Sequence, residues 1–174
     1  MIKHVPGKER KVVGQLKAWS AKDEIAHLTF WLETFVKNIK NRQSKNPLID
    51  ANNYLAVNDA AWARYKDLSW AEVEEKLSRV FDDIETQGKA LRLEELTDAS
   101  VFTLEGKPLV KSLLYEVVDH PLHHFVKLYR KYGKTKQALE ALVRLETVLS
   151  QPGTSTWTAT SRSKIKKHRE RLAS

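Results

Sequence analysis

The stretch WSAKDEIAHLTFW, Trp19–Trp31, carries the strongest helix signal in the chain and contains His27. Ser20 is a favourable N-cap residue, and Asp23, three residues later, can complete a capping box. Apolar residues then recur at three- and four-residue steps, as on an amphipathic helix: Ile25, Leu28, Leu32, Phe35, Val36 and Ile39. The pattern predicts a helix from Ser20 to about Asn41 or Gln43, with His27 beside its apolar face.

Most of the remaining chain also has helical periodicity. We predict a helix over residues 55–65 and a second one from the capping box of Ser69 and Glu72 to about Gly88. A third helix is predicted from Pro108 to about Tyr132, with Gly133 as its stop. A fourth is predicted over about 135–150. Residues 151–161 are predicted to be a loop, and residues 161–174 a basic tail that is helical. The chain is therefore expected to be all-α, most simply a four-helix bundle with additions, in one domain over residues 1–160.

The segment at 89–107 has the weakest pattern. It is predicted to be a crossover in which Leu91, Leu93 and Leu96 pack on the core. The only strand signal is VFTL at 101–104, and it has no evident partner.

A second histidine cluster lies in DHPLHHF, residues 119–125, on the helix that follows Pro108. Successive helical residues turn by about 100°. The apolar stripe of this helix includes Val110, Leu113, Val117 and Leu128. The rotation places His124 inside this stripe, His120 at its edge and His123 well off it. Pro121 lacks an N–H group and is expected to kink this helix beside the histidines.

Imidazoles that converge from two helices can bind a transition metal and leave coordination positions open, as in catalytic sites. A single histidine near a core, however, is more often a structural residue, and HxxxH pairs on helices arise frequently by chance. Periodicity alone therefore leaves metal binding and a purely structural role about equally supported.

The composition of the chain excludes several kinds of chemistry and of cellular location. The chain has 174 residues, no cysteine and a net charge of +8. The missing cysteines exclude disulfides, cysteine-ligated zinc and a cysteine nucleophile. No apolar run reaches the roughly 18–20 residues of a membrane span, and the basic N-terminus has no signal-peptide core. We therefore expect a cytoplasmic protein without membrane partners.

The positive charge is concentrated at the C-terminus, where residues 162–174 hold six Lys/Arg and one Glu. Such a tail could contact phosphates without sequence specificity. No zinc finger, phosphate loop or aromatic platform accompanies it, so a solvated terminal helix is the preferred interpretation and no specific nucleic acid is expected.

The Trp19–Trp31 stretch resembles the W-S-x-K-D motif that precedes the first metal-binding histidine of the DinB-like family, also called the YfiT-like metal-dependent hydrolase superfamily. The family's other two histidines form HxxxH on a late helix, and NDAAWARYKDLS, Asn58–Ser69, resembles its crossover before the third helix. The resemblance covers roughly residues 19–132. It implies a DinB-like four-helix bundle in which His27, His120 and His124 bind a divalent metal ion.

The resemblance also implies a class of chemistry. Family members include enzymes that transfer low-molecular-weight thiols, thiol-dependent isomerases and hydrolases, usually with nickel, zinc or another first-row ion. For this chain it implies a metal-dependent transferase or hydrolase acting on a small reactive molecule, with an external thiol as a candidate co-reactant. Asp23, Glu116 and Asp119 are candidate outer-shell carboxylates that could orient an imidazole. The alternative for each is a charge on the helix surface, and Asp23 already serves as part of a cap. The alternative is a non-catalytic helical bundle whose histidines are structural or bind metal without turnover.

The N-terminus departs from the family pattern. The family has a long helix before the W-S-x-K-D motif, whereas only 18 residues precede Trp19 here, and Pro6, Gly7 and Gly14 allow at best a short helix. A bundle that lacks one helix would expose the apolar stripes of the other three. We therefore predict that the helix at about 135–150 fills this position, in its own chain or swapped into the partner of a homodimer. The competing explanation is a truncated gene start.

Overall fold

The computed structural model describes residues 4–44, 53–151 and 155–173, which are mostly helical, as predicted. Predicted connection residues 45–52 and predicted loop residues 152–154 lie outside this part of the chain. The helices are α1 (Ala21–Lys40), α2 (Tyr54–Tyr65), α3 (Trp70–Ala90), α4 (Leu93–Thr97), α5 (Leu109–Leu114), α6 (His120–Lys131), α7 (Thr135–Leu149) and α8 (Ser155–Ala173).

The chain divides into two compact units. The larger unit comprises Pro6–Ser112. The C-terminal unit comprises the described part of residues 113–174 together with His4 and Val5.

Both predicted capping boxes are present in the larger unit. Ser20 caps α1, and Asp23 Oδ2 accepts hydrogen bonds from the Ser20 backbone N–H at 2.9 Å and from its hydroxyl at 2.7 Å. Ser69 and Glu72 form the same reciprocal arrangement at the start of α3. These caps satisfy backbone N–H groups that have no partner inside the helix, so they fix where each helix begins.

Helix α1 is the centre of the larger unit. Almost all of its residues are buried, and both α2 and α3 pack against it. The apolar residues of α3 recur at helical spacing: Val73, Leu77 and Val80 are buried, whereas the next residue, Phe81, is 37% exposed. The α1 and α3 periodicities therefore identified the main packing faces.

The crossover after α3 differs from the prediction. Leu93 is 65% exposed, and the buried residue of α4 is the acidic Glu95. Its carboxylate accepts hydrogen bonds from the Arg92 backbone N–H and from Arg42, and these contacts lower the pKa of Glu95 to about 2. The predicted packing of Leu93 on the core was wrong. The buried side of α4 carries the ion pair of Glu95 with Arg42 instead, and hydrophobic periodicity does not detect ion pairs.

The VFTL strand does have a partner. Strand β1 (Thr103–Leu104) pairs antiparallel with β2 (Lys107–Pro108) through a two-residue turn. Both turn residues have positive φ, 55° at Glu105 and 68° at Gly106, as this kind of tight hairpin turn requires. The prediction of an unpaired strand was wrong because Glu-Gly is not among the usual turn dipeptides.

In the C-terminal unit, Pro121 follows a π-helical turn, Tyr115–Asp119, which leads into α6. The missing proline N–H and the bulk of its ring disfavour the regular i−4 hydrogen bond at this place. The helix therefore has π geometry immediately before the place where the sequence predicted a kink. Helix α6 ends as predicted: Gly133 has φ +63°, and its N–H donates to the carbonyl of Arg130.

Helix α8 begins at Ser155, so the loop predicted over residues 151–161 was too long. It packs on α7 and on the π-helical turn. Ile165 is fully buried and Ser161 nearly so. The basic segment is consequently one face of a packed helix, because its apolar residues recur at helical spacing among the charges.

Candidate metal centre

His27 lies on α1 in the larger unit and is 6% exposed. Its ring lies between two tryptophans, with centroids 4.8 Å from Trp19 and 6.3 Å from Trp31. The indole N–H of Trp31 donates to the Asn58 side-chain carbonyl at 3.1 Å, and Tyr54 stacks on the Trp31 ring. These contacts restrict the orientation of the His27 ring.

The segment before α1 positions Trp19. Its indole N–H donates to the Leu16 carbonyl at 3.0 Å, inside a tight turn in which Gln15 and Ala18 pair. The turn passes close to the α1 cap: a Cβ on Gly14 would lie 1.8 Å from Asp23 Oδ2 and 2.6 Å from the Ser20 nitrogen. Only glycine allows this approach.

His120 and His124 lie one turn apart on α6 in the C-terminal unit. Their ring centroids are 5.0 Å apart and the ring planes are inclined by 63°. The His120 side chain is only 10% exposed and His124 is half-buried, whereas His123 is exposed. These exposures agree with the helical rotation that separated His123 from the other two.

Glu116 is the predicted carboxylate that approaches a histidine of this pair. Its Oε2 lies 3.6 Å from His120 Nδ1, and it has no hydrogen-bond partner within the described protein. A carboxylate at Nδ1 favours the tautomer with a proton on that nitrogen and leaves Nε2 free to bind a metal.

The other two candidate carboxylates have different partners. Asp23 is occupied by the α1 cap. Asp119 Oδ2 accepts a 2.7 Å hydrogen bond from Lys164 Nζ on α8, and its carboxylate is 7% exposed. These hydrogen bonds join neither carboxylate to an imidazole.

The exposed His123 has a neighbouring histidine on α8. The ring centroids of His123 and His168 are 6.4 Å apart. Burial, followed by the nearby His123, lowers the pKa of His168.

The three histidines selected from the sequence meet the distance requirement of a metal site. One ligand atom from each of His27, His120 and His124 lies within 4.8 Å of the other two. Two imidazole nitrogens bound tetrahedrally to one ion at about 2.0–2.1 Å would be about 3.4 Å apart. A triad of histidines could therefore bind a metal ion.

Sequence reasoning missed two lysines that organise these regions. Lys22, part of the W-S-x-K-D resemblance, is 5% exposed and donates to the backbone carbonyls of Lys66 and Leu68. Lys164 pairs with Asp119, as described above. Neither contact has a local signal, because each lysine meets its partner more than 40 residues away.

Among the described residues, no helix combines the length and apolar character needed to cross a membrane. Comparison with protein-family models, curated proteins and solved structures finds no match to this chain. The DinB-like resemblance consequently stays a prediction based on the motifs of the sequence.

Proposed function

We propose that this protein binds one divalent first-row metal ion through His27, His120 and His124. The observation that carries the proposal is the mutual distance of their ligand atoms, all within 4.8 Å. Two of the three residues also have an environment suited to a ligand: His27 is held by aromatic rings, and His120 has a carboxylate near Nδ1.

The donor set fits such an ion. Neutral imidazole nitrogens bind zinc, nickel, copper and iron, so these ligands do not select among them. The motif resemblance favours nickel or zinc. Three protein ligands leave at least one position open for water or a substrate.

We further propose that the protein is a metal-dependent transferase or hydrolase of a small electrophile. When bound, the metal would supply Lewis acidity and lower the pKa of a coordinated water toward about 7, or hold an external thiolate. Glu116 would keep His120 in the tautomer that presents Nε2. Trp19 and Trp31 would hold the His27 ring and exclude water from one side of it.

A structural role for His27 is the second candidate. The ring packs between Trp19 and Trp31 in a buried position, and these contacts would stabilise the fold with or without a metal. Under this alternative the histidines fill the protein interior or bind metal without turnover.

Metal analysis of the untagged full-length protein separates these alternatives. We expect about one equivalent of metal per chain, lost in a His120→Ala/His124→Ala variant and retained in His123→Ala. Sub-stoichiometric metal in the wild type after reconstitution with Zn²⁺ or Ni²⁺, with unchanged thermal stability, would favour the structural role.

Catalysis requires its own test. The reconstituted protein is mixed with a low-molecular-weight thiol and a chromogenic aryl halide, and in parallel with an activated ester. A rate that depends on metal and disappears in His120→Ala/His124→Ala supports a transferase or hydrolase. Full metal loading without turnover on either class would leave metal binding intact and contradict the catalytic proposal for these substrates.

A further inference from the structure

Helix α8 contacts the π-helical turn that precedes His120. Lys164 Nζ donates to Asp119 Oδ2 at 2.7 Å and lies 5.5 Å from the centre of the Tyr115 ring. Tyr115 and Asp119 are the first and last residues of the π-helical turn. One ammonium group therefore interacts with both ends of this turn.

Both ends of the turn are next to His120, one through ring stacking and the other along the chain. The Tyr115 ring stacks on the His120 ring, with centroids 5.8 Å apart and planes inclined by 16°. Asp119 directly precedes His120 in the chain. Between them, Glu116 places a carboxylate oxygen 3.6 Å from His120 Nδ1. The direction of the His120 imidazole thus depends on the conformation of the turn.

A π-helical turn is rare and occurs mostly as a single turn inside an α-helix, frequently at a functional site. Contacts from a neighbouring helix can support such a turn. The Lys164 contacts provide such support: a short charge-assisted hydrogen bond to a buried carboxylate and a cation–π contact on the same group. Asp119 Oδ1 has no partner within the described protein, so the Lys164 bond at Oδ2 is important for this carboxylate.

We propose that Lys164 is a positioning residue for His120, acting through Asp119 and Tyr115. The C-terminal helix would thereby set the tautomer and direction of a metal ligand, although the family resemblance does not extend to α8. The inference about metal affinity rests on the proposed metal site. The inference about the orientation of His120 does not.

The test uses the tautomer of His120 in the metal-free full-length protein. Long-range ¹H–¹⁵N NMR spectra at pH 8 distinguish Nδ1–H from Nε2–H imidazoles, and His120→Ala assigns the signal. We expect wild-type His120 to be mainly in the Nδ1–H form. Lys164→Met should shift the population toward Nε2–H, since the Glu116–His120 approach is loosened.

Lys164→Met also leaves the Asp119 carboxylate buried without its cation, which can unfold the protein. The double variant Lys164→Met/Asp119→Asn removes both charges and is expected to show the same tautomer shift. Lys167→Met, an exposed lysine on the same helix, is the matched control and should behave as wild type. An unchanged tautomer in the double variant, or an equal change in the control, would overturn the proposal.

Zn²⁺ titration is the second measurement. In the double variant we expect Zn²⁺ affinity to fall about tenfold or more, the range found when outer-shell partners are lost. If wild-type protein binds no Zn²⁺ but the tautomer still shifts, the metal proposal fails while the role of Lys164 stands. If the protein binds Zn²⁺ equally in all variants and the tautomer is constant, the role of Lys164 is refuted.

Discussion

The ammonium group of Lys22 donates a 2.7 Å hydrogen bond to the backbone carbonyl of Leu68, and a second bond to the carbonyl of Lys66. Lys22 lies at the start of α1, while its acceptors lie in the connection from α2 to α3. A lysine within a motif that resembles a metal-site signature thus stabilises the connection between two helices.

Lys22→Met should therefore destabilise the protein without removing its metal. Two carbonyls lose a charged donor, and each charge-assisted hydrogen bond contributes about 1.5–3 kcal/mol. We expect the free energy of unfolding to fall by about 2–4 kcal/mol, measured by urea denaturation. Lys37→Met, an exposed position on the same helix, should change it by less than about 0.5 kcal/mol. Loss of metal from folded Lys22→Met protein would instead assign Lys22 to the metal site.

Gly14→Ala should disturb the α1 cap. Its new Cβ would lie 1.8 Å from Asp23 Oδ2, so either the turn or the capping box must move. Loss of such a cap costs about 1–2 kcal/mol, which thermal or urea unfolding detects. Gly7→Ala is the control, because nothing lies within 4 Å of a Cβ at that position. Equal stability of the two variants would show that the turn adapts freely.

Stability should depend on Glu95 at acidic pH. The Arg92 backbone N–H and the Arg42 side chain lower its folded-state pKa to about 2, whereas the unfolded value is near 4.3. The contribution of Glu95 to the free energy of unfolding is therefore fully present above about pH 5 and declines as the pH falls toward 2. In Glu95→Gln this part of the pH dependence should disappear, as urea titrations between pH 3 and 7 can measure. Parallel wild-type and variant curves would contradict the ionised Glu95 pairing.

Glu116→Gln should weaken metal binding, because the amide is a poorer partner for His120 Nδ1–H than the carboxylate. We expect Zn²⁺ affinity to decrease by about 10- to 100-fold, measured by competition with a chelating dye. Glu140→Gln makes the same chemical change at an exposed position on α7 and should leave affinity unchanged. If both variants bind Zn²⁺ like the wild type, Glu116 does not orient the ligand.

Local sequence determined where α1 and α3 begin and where α6 ends. The caps of α1 and α3 join residues three positions apart, and Gly133 ends α6 through its own backbone conformation. Such interactions form within one helical turn, so they can be predicted from the sequence without knowledge of the fold. The rotation of α6 likewise separated His123 from His120 and His124. The choice of His27 came from the family resemblance, since its position beside a helix stripe did not distinguish it from a core residue.

Tertiary structure decided which charged groups are buried and which residues contact them. Lys22, Glu95 and Lys164 each pair with groups from other elements of the structure, and the Lys22 and Lys164 partners lie more than 40 residues away. A buried charge is stable only when a specific partner compensates its lost hydration, and that partner is selected by packing rather than by spacing along the chain. Hydrophobic periodicity records which face of a helix is apolar, and for that reason it located α1 and α3 but failed at Leu93 and did not identify Lys164.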